Sequence, residues 1–284
     1  MIGIREIIII IIILLILFYK DIQEYYKVHN DINNHKDIHR GCTKKVNEVL
    51  NKEEIPQIIY KTGIDDYDKV PLEVIDVFND TLDKNKGFKI MYYSDIDSLN
   101  FIKNNFNKRV LDAYMRLIPG AYKADLFRYC ILYKKGGIYS DLTQRMMVPY
   151  KSIIDFSNDE LYLVKDRPQV STNNTYNEGI QISFIATRPG NDIFLQCIDG
   201  IIENIDKKYY GNTPLCPTGP QHFYNVLKQY KGKYKLDLRE TGQTLVDKKN
   251  RVIIINKIDN HQTKILKNRT HYDVLWRKGE IYLD

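Results

Sequence analysis

The chain has 284 residues, 43% hydrophobic and 27% charged, with 42 basic and 36 acidic side chains for a net charge of +6. That length and composition describe an ordinary globular protein able to bury a real core, in one sizeable domain or two small ones. Basic and acidic residues interleave without a basic stripe or nucleic-acid motif, and the four cysteines (Cys42, Cys130, Cys197, Cys216) form no CxxC pair, which argues against nucleic-acid and zinc binding.

The chain opens with "MIGIREIIIIIIILLILFYK", whose apolar run extends from Ile7 to Tyr19. Such a run is short for a ~30 Å bilayer, which usually takes about 20 residues. No small-residue cleavage site follows it. Residues 1–19 are therefore expected to be an uncleaved, single-pass signal anchor. In a eukaryotic host, or a virus of one, the body would then lie on the lumenal side, in a Golgi- or ER-like compartment. Arg5 and Glu6 favour the competing reading, a buried or interfacial helix. Residues 20–54 are polar and read as a stem. Residues 55–284 read as one packed domain.

In that domain "IPQIIYKTG" (Ile55 to Gly63) is a proline-opened, β-branched run expected to form a strand. "PLEVIDVFNDTLDKN" places Leu72, Ile75, Val77, Phe78 and Leu82 near helical spacing, with Pro71 at the first turn. "GFKIMYYSD" is the next strand, and "DIDSLNFIKNNF" a helix with Asp95 or Asp97 as N-cap. Helices are expected around 108–118 and 122–135, split by Pro119-Gly120, then a strand from Gly137. Strands near "ELYLVKD" and "IQISFIAT", helices near "DIFLQCIDGIIENI" and "GPQHFYNVLKQY", a strand in "RVIIINKI" and a helix near "YDVLWRKG" complete the chain. Strands alternating with helices argue for an α/β domain with a central, mostly parallel sheet flanked by helices.

Chemistry concentrates in "AYKADLFRYCILYKKGGIYSDLTQ", Ala121 to Gln144. Leu126, Phe127, Cys130 and Ile131 form an apolar stripe, and Asp125 and Arg128 share a neighbouring face. Gly136 is suited to end the helix in a left-handed conformation. Side-chain alternation then points Tyr139, Asp141 and Thr143 one way at the carboxyl end of a strand, where open α/β sheets bind ligands. A carboxylate there suits a hard divalent cation and an arginine suits phosphate or sugar hydroxyls. The competing readings are a surface ion pair for Asp125 and Arg128 and a plain core residue for Tyr139.

This stretch resembles the core of the family 32 glycosyltransferases, the DXD sugar-binding group that includes yeast-type initiating mannosyltransferases, and is similar to the core of clostridial glucosylating toxins. The matching residues are Ala124, Asp125, Arg128, Gly136, Gly137, Tyr139 and Asp141, with Thr143 where the family has its second Asp. "IPQIIYKTG" resembles the opening strand, with Tyr60 present and the usual Trp missing. "FIATRPGN", "TGP" (Thr218 to Pro220) and "HYDVLWRKGEIY" resemble later family segments, so that the likeness spans about residues 55–284.

The resemblance implies a GT-A-type fold and an enzyme moving a sugar from a nucleotide-sugar donor to a glycan, glycoprotein or other hydroxyl acceptor, with retention. It implies a divalent metal, Mn²⁺ or Mg²⁺. Asp125 and Arg128 would hold the donor sugar and, with Asp141, form the catalytic set. Tyr60, Gly137, Tyr139 and Thr143 would contact the donor, and Asp141 with His271 the metal. Thr143 carries no charge, so the metal site is expected to be retained but weakened. The alternative is a catalytically silent domain that binds a sugar nucleotide or glycan.

Overall fold

A computed structural model describes residues 37–41, 53–158, 161–167, 179–256 and 270–284, strand positions 169–170 and 176–177, and positions 13, 16, 17, 19, 20 and 23. Most of the expected anchor and stem lies outside the described residues. Among the described residues no helix is long and apolar enough to cross a membrane. The chain divides into two compact units, Met1–Ile38 and His39–Asp284. In the first, the described positions from 13 to 23 are helical, and the Gln23 amide donates to the Tyr19 hydroxyl over 3.1 Å. The second carries everything that follows.

Its strands are β1 (Ile38–Arg40, at the unit boundary), β2 (Ile58–Thr62), β3 (Lys89–Tyr93), β4 (Gly137–Ser140), β5 (Arg145–Met146), β6 (Leu161–Lys165), β9 (Ile180–Thr187), β10 (Tyr234–Glu240), β11 (Thr244–Val246) and β12 (Val252–Ile255). They take the order β1-β3-β2-β4-β9-β6-β10-β11-β12-β5, while β7 (Gln169–Val170) and β8 (Tyr176–Asn177) pair separately. β2 runs parallel to β3 and β4, and β10 parallel to β6. The pairs β4/β9, β6/β9, β10/β11, β11/β12 and β12/β5 are antiparallel. The sheet is thus mixed, which corrects the expectation of a mostly parallel one. Two features make it so: β9 runs back between β4 and β6, and β10 to β12 are joined by turns too short for the crossover that parallel neighbours need. The expected strands and helices all form, but β10 escapes the sequence reading because only Leu238 of it is buried, and β11 because it is three residues long.

This topology sets the functional edge. Because β9 runs against both β4 and β6, the carboxyl ends of β2, β3, β4, β6 and β10 all open on one side.

The helices are α1 (Leu72–Lys84), α2 (Asp95–Asn105), α3 (Lys108–Arg116), α4 (Gly120–Lys135), α5 (Ile193–Asp206), α6 (Pro220–Leu227) and α7 (Tyr272–Lys278). The N-cap of α2 is Ser94, one residue before Asp95 and in place of the expected Asp95 or Asp97. The Ser94 hydroxyl accepts from the Asp97 N–H, and the Asp97 carboxylate accepts from the Ser94 N–H, a reciprocal cap. α4 carries the core: Leu126, Phe127, Cys130 and Ile131 are fully buried, as their spacing predicts. Each such side chain contributes roughly 1.5–3 kcal/mol by leaving water. Tyr129 stacks on Phe223 with ring centres 5.7 Å apart, tying α4 to α6. Trp276 packs α7 against the body, its indole N–H donating to the Tyr210 carbonyl over 2.8 Å.

Candidate functional site

Two glycines turn α4 directly into β4. Gly136 caps the helix with φ +61° and ψ −157°, positive as expected but outside the left-handed helical well, and Gly137 has φ +91°. A β-carbon at Gly136 would lie 2.5 Å from the Pro189 nitrogen. One at Gly137 would lie 2.7 Å from the Ile58 carbonyl oxygen and 3.0 Å from the Tyr60 ring. Both contacts are with backbone or core, so glycine is required at each. Gly137 is therefore a chain-turning device buried against β2, a correction to its expected donor contact. Tyr60 is corrected likewise. It is 2% exposed, with its ring 6.3 Å from Tyr93, because β2 lies between β3 and β4 and its helix-facing side is packed.

The turn brings the α4 side chains over the end of β4. The Arg128 guanidinium carbon sits 4.2 Å above the centre of the Tyr139 ring. Nη1 donates to the Ile182 carbonyl over 2.6 Å, and Nη2 lies 3.4 Å from each of Asp125 Oδ1, the Tyr139 hydroxyl and Asp141 Oδ1. Arg128 Nε is buried without a hydrogen-bond partner. The Tyr139 hydroxyl also bonds Thr62 Oγ1 over 2.8 Å. The second Asp125 oxygen accepts from the Thr218 hydroxyl over 2.8 Å. The surface-pair reading is overturned: the Arg128 and Asp125 side chains are 6% and 12% exposed. Removing either partner would strand a buried charge.

The charges follow from this packing. Burial pushes Asp125 up to about 6, while Arg128 and the Thr218 hydroxyl pull it down. Burial opposes the charge on Arg128, but Tyr139, Asp141 and Asp125 outweigh it and its pKa rises, so it stays cationic. Burial raises the Asp141 pKa too, against Arg128 and Lys61, yet 45% of that side chain meets solvent, which screens the effect. Asp141 is the carboxylate of the set that faces outward.

β4 ends at Ser140, so residues 141–144 are not strand. They form a turn closed by the Gln144 N–H donating to the Asp141 carbonyl over 3.0 Å. Thr143 therefore does not alternate with Tyr139 and Asp141 along one face, which corrects the expectation. Its hydroxyl donates to the Asn256 carbonyl over 3.1 Å. That bond uses the proton and leaves the oxygen lone pairs available. One carboxylate and one hydroxyl oxygen on the same turn are a hard-oxygen set that fits a divalent cation keeping much of its water. His271, the other expected metal ligand, is engaged at the start of α7. It caps α7, its Nδ1 accepting from the Asp273 N–H over 3.3 Å, and among the described residues no three His, Cys, Asp or Glu side chains gather as a metal cluster. Tyr272, beside it, packs 6.0 Å from Tyr122, and its pKa is raised by burial and by Asp125, so α7 starts close to the Asp125 end of the site.

Sequence reasoning missed Lys61, fully buried behind the turn. The signal was available: a lysine inside the β-branched run of an interior strand. Thr218 was noted only as part of "TGP". A cleft of about 380 Å³, lined by Ile154, Tyr162, Phe184, Lys235, Leu238 and Arg251 among others, includes none of these residues.

Residues 71–178 match the family described as the glycosyltransferase sugar-binding region containing the DXD motif. An uncharacterized glycosyltransferase, L373, of Acanthamoeba polyphaga mimivirus is 34% identical over 141 residues, 49% of this chain and 53% of that protein. The match thus spans about half the length of this curated relative. The solved PaToxG glycosyltransferase aligns over 62% of this chain and 70% of its own at 16% identity, with a TM-score of 0.46. A glycosyltransferase involved in glycosylation of the major capsid of PBCV-1 aligns over 64% and 81% at 11% identity, with a TM-score of 0.34. Asp125, Arg128, Tyr139, Asp141 and Thr143 all lie within residues 71–178, the stretch similar to the sugar-binding region of the DXD-motif glycosyltransferases.

Proposed function

We propose that the protein is a glycosyltransferase that takes a nucleotide-sugar donor at the Arg128 site and passes the sugar, with retention, to a hydroxyl of a glycan or glycoprotein. The observation that carries this reading is the Arg128 guanidinium, stacked on Tyr139 and set between the buried Asp125 and the outward Asp141. Breaking the bond between sugar and diphosphate concentrates negative charge on the leaving group, and fixed positive charge aimed there lowers the barrier. Arg128 is a permanent cation whose orientation is set before the donor arrives. Asp125, held by Thr218, is an acceptor for donor-sugar hydroxyls. A Mn²⁺ or Mg²⁺ ion, held by Asp141 with the Thr143 oxygen, would neutralise diphosphate charge. The apolar run at residues 7–19 would tether the body to a membrane, a reading that stands on sequence alone and that carbonate extraction of the full chain tests.

Hydrolysis of UDP- and GDP-sugars, with and without Mn²⁺, tests the activity. Turnover of at least one donor that is lost in Asp141→Ala supports the transferase. Binding without turnover across the donor set would instead indicate a silent sugar-nucleotide module, and the anomer of the product reports retention.

A further inference from the structure

Lys61 leaves β2 on the face opposite Tyr60 and Arg128 and ends beneath the turn that carries Asp141. It is 0% exposed, and its ammonium nitrogen lies 3.0 Å from Ser140 Oγ, 2.9 Å from the Asp141 carbonyl oxygen and 3.3 Å from the Gln144 carbonyl oxygen. Proton bookkeeping fixes its role in these contacts. The Ser140 hydroxyl donates to Gln144 Oε1 over 2.9 Å, so its oxygen accepts from Lys61, and carbonyls only accept. Burial lowers the Lys61 pKa to about 7 and Asp141 pulls it back up, and three acceptors match the three N–H donors of the ammonium, the form this geometry favours. The network continues outward: Gln144 Nε2 donates to Ser183 Oγ over 2.8 Å and to Asn256 Oδ1 over 2.9 Å, and Thr143 is tied to the Asn256 carbonyl. Every residue from 140 to 144 except Leu142 is therefore pinned from behind, with Lys61 at the centre.

We propose that Lys61 is a positioning residue for the donor site, a buried cation that holds the Asp141–Gln144 turn in shape. It touches neither donor nor acceptor and acts through Asp141. The inference rests on the reading of Asp141 as a donor-site residue, and it assigns to an internal ammonium the ordering of a turn that has one acid, Asp141, and a threonine at 143. A buried charge with three matched acceptors gives such a turn a single geometry, because any other leaves the ammonium unsatisfied.

The test uses the full chain with Lys61→Met, which keeps the length and apolar stem while removing the charge, and Ser140→Ala, which removes one acceptor and keeps the lysine. Amide hydrogen exchange without ligand is read at Gln144, whose N–H bonds the same Asp141 carbonyl that Lys61 holds. Exchange there is expected to quicken at least ~10-fold in Lys61→Met and by less in Ser140→Ala, with α4 and β2 unchanged. In donor hydrolysis, kcat falls at least ~10-fold in Lys61→Met while KM stays within about threefold, the pattern of misplaced catalytic groups with donor binding retained. Unchanged exchange at Gln144 in both variants overturns the proposal, as does exchange that quickens equally across the sheet, or a loosened turn with undiminished kcat. Absence of turnover in the wild-type protein would instead count against the transferase reading, and the exchange experiment decides the role of Lys61 in that case too.

Discussion

Arg128 does at residue scale what no single neighbour could: one side chain meets an aromatic face, a backbone carbonyl and two carboxylates. A lysine keeps the charge but loses the planar stack and the fork. Arg128→Lys is expected to lower kcat/KM for donor hydrolysis by about 100-fold, with the circular dichroism spectrum retained. Thr143 tests the cation. Thr143→Asp adds a charged oxygen ligand to a turn already bearing Asp141 and is expected to tighten Mn²⁺ binding about tenfold, read by electron paramagnetic resonance of free Mn²⁺. Thr218 tests Asp125. Its hydroxyl lowers the Asp125 pKa, which burial has raised to about 6. If the ionised carboxylate is the working form, activity falls as pH drops through about 6, and Thr218→Val moves that limb to higher pH.

At the scale of elements, the site depends on how abruptly α4 becomes β4. Gly136 and Gly137 reverse the chain with no loop between, and this places Tyr139 under Arg128. Gly137→Ala adds a methyl 2.7 Å from the Ile58 carbonyl at a φ of +91°. It is expected to cost about 2–4 kcal/mol in urea unfolding with an unchanged m-value, combining strain with a clash against backbone that cannot yield. The donor-side helix is also the core helix. Phe127→Ala, in the cluster with Tyr93 and Phe101, is expected to cost about 3–5 kcal/mol, so it lowers activity only through the folded fraction and leaves KM unchanged.

For the whole molecule, pH couples to stability through its buried acids. Burial first, then the neighbouring Asp166, pushes Glu240 up to about 7 against the pull of Gln181 and Arg167, and Asp125 stands at about 6. Both hold a proton more tightly folded than unfolded, where carboxyls titrate near 4. Between about pH 4 and 7 the folded state therefore binds more protons, and stability falls as pH rises through that window. Urea midpoints measured from pH 4 to 7 should decline, and Glu240→Gln should flatten the slope; above pH 7 Lys61, lowered to about 7 by burial, opposes the trend. A midpoint that rises over this range would show that other carboxylates dominate.

The sequence by itself determined the elements and the chemical cast. Helical spacing set α1 and α4, and β-branched runs set β2 and β9. The Asp-x-x-Arg and Gly-Gly-x-Tyr-x-Asp stretches pointed to Asp125, Arg128, Tyr139 and Asp141 through their resemblance to the family 32 glycosyltransferases. These are local signals, legible because side-chain period and turn chemistry depend on near neighbours. Tertiary structure alone decided direction and depth. The mixed sheet follows from β9 running back between β4 and β6, and Tyr60 and Gly137 belong to the core because β2 is an interior strand. A lysine inside a β-branched run marked Lys61 as unusual, but its role became visible only when Ser140, Asp141 and Gln144, about 80 residues later in the chain, folded over it. Burial and hydrogen-bond partnership arise from contacts between distant segments, and no local window of sequence contains them.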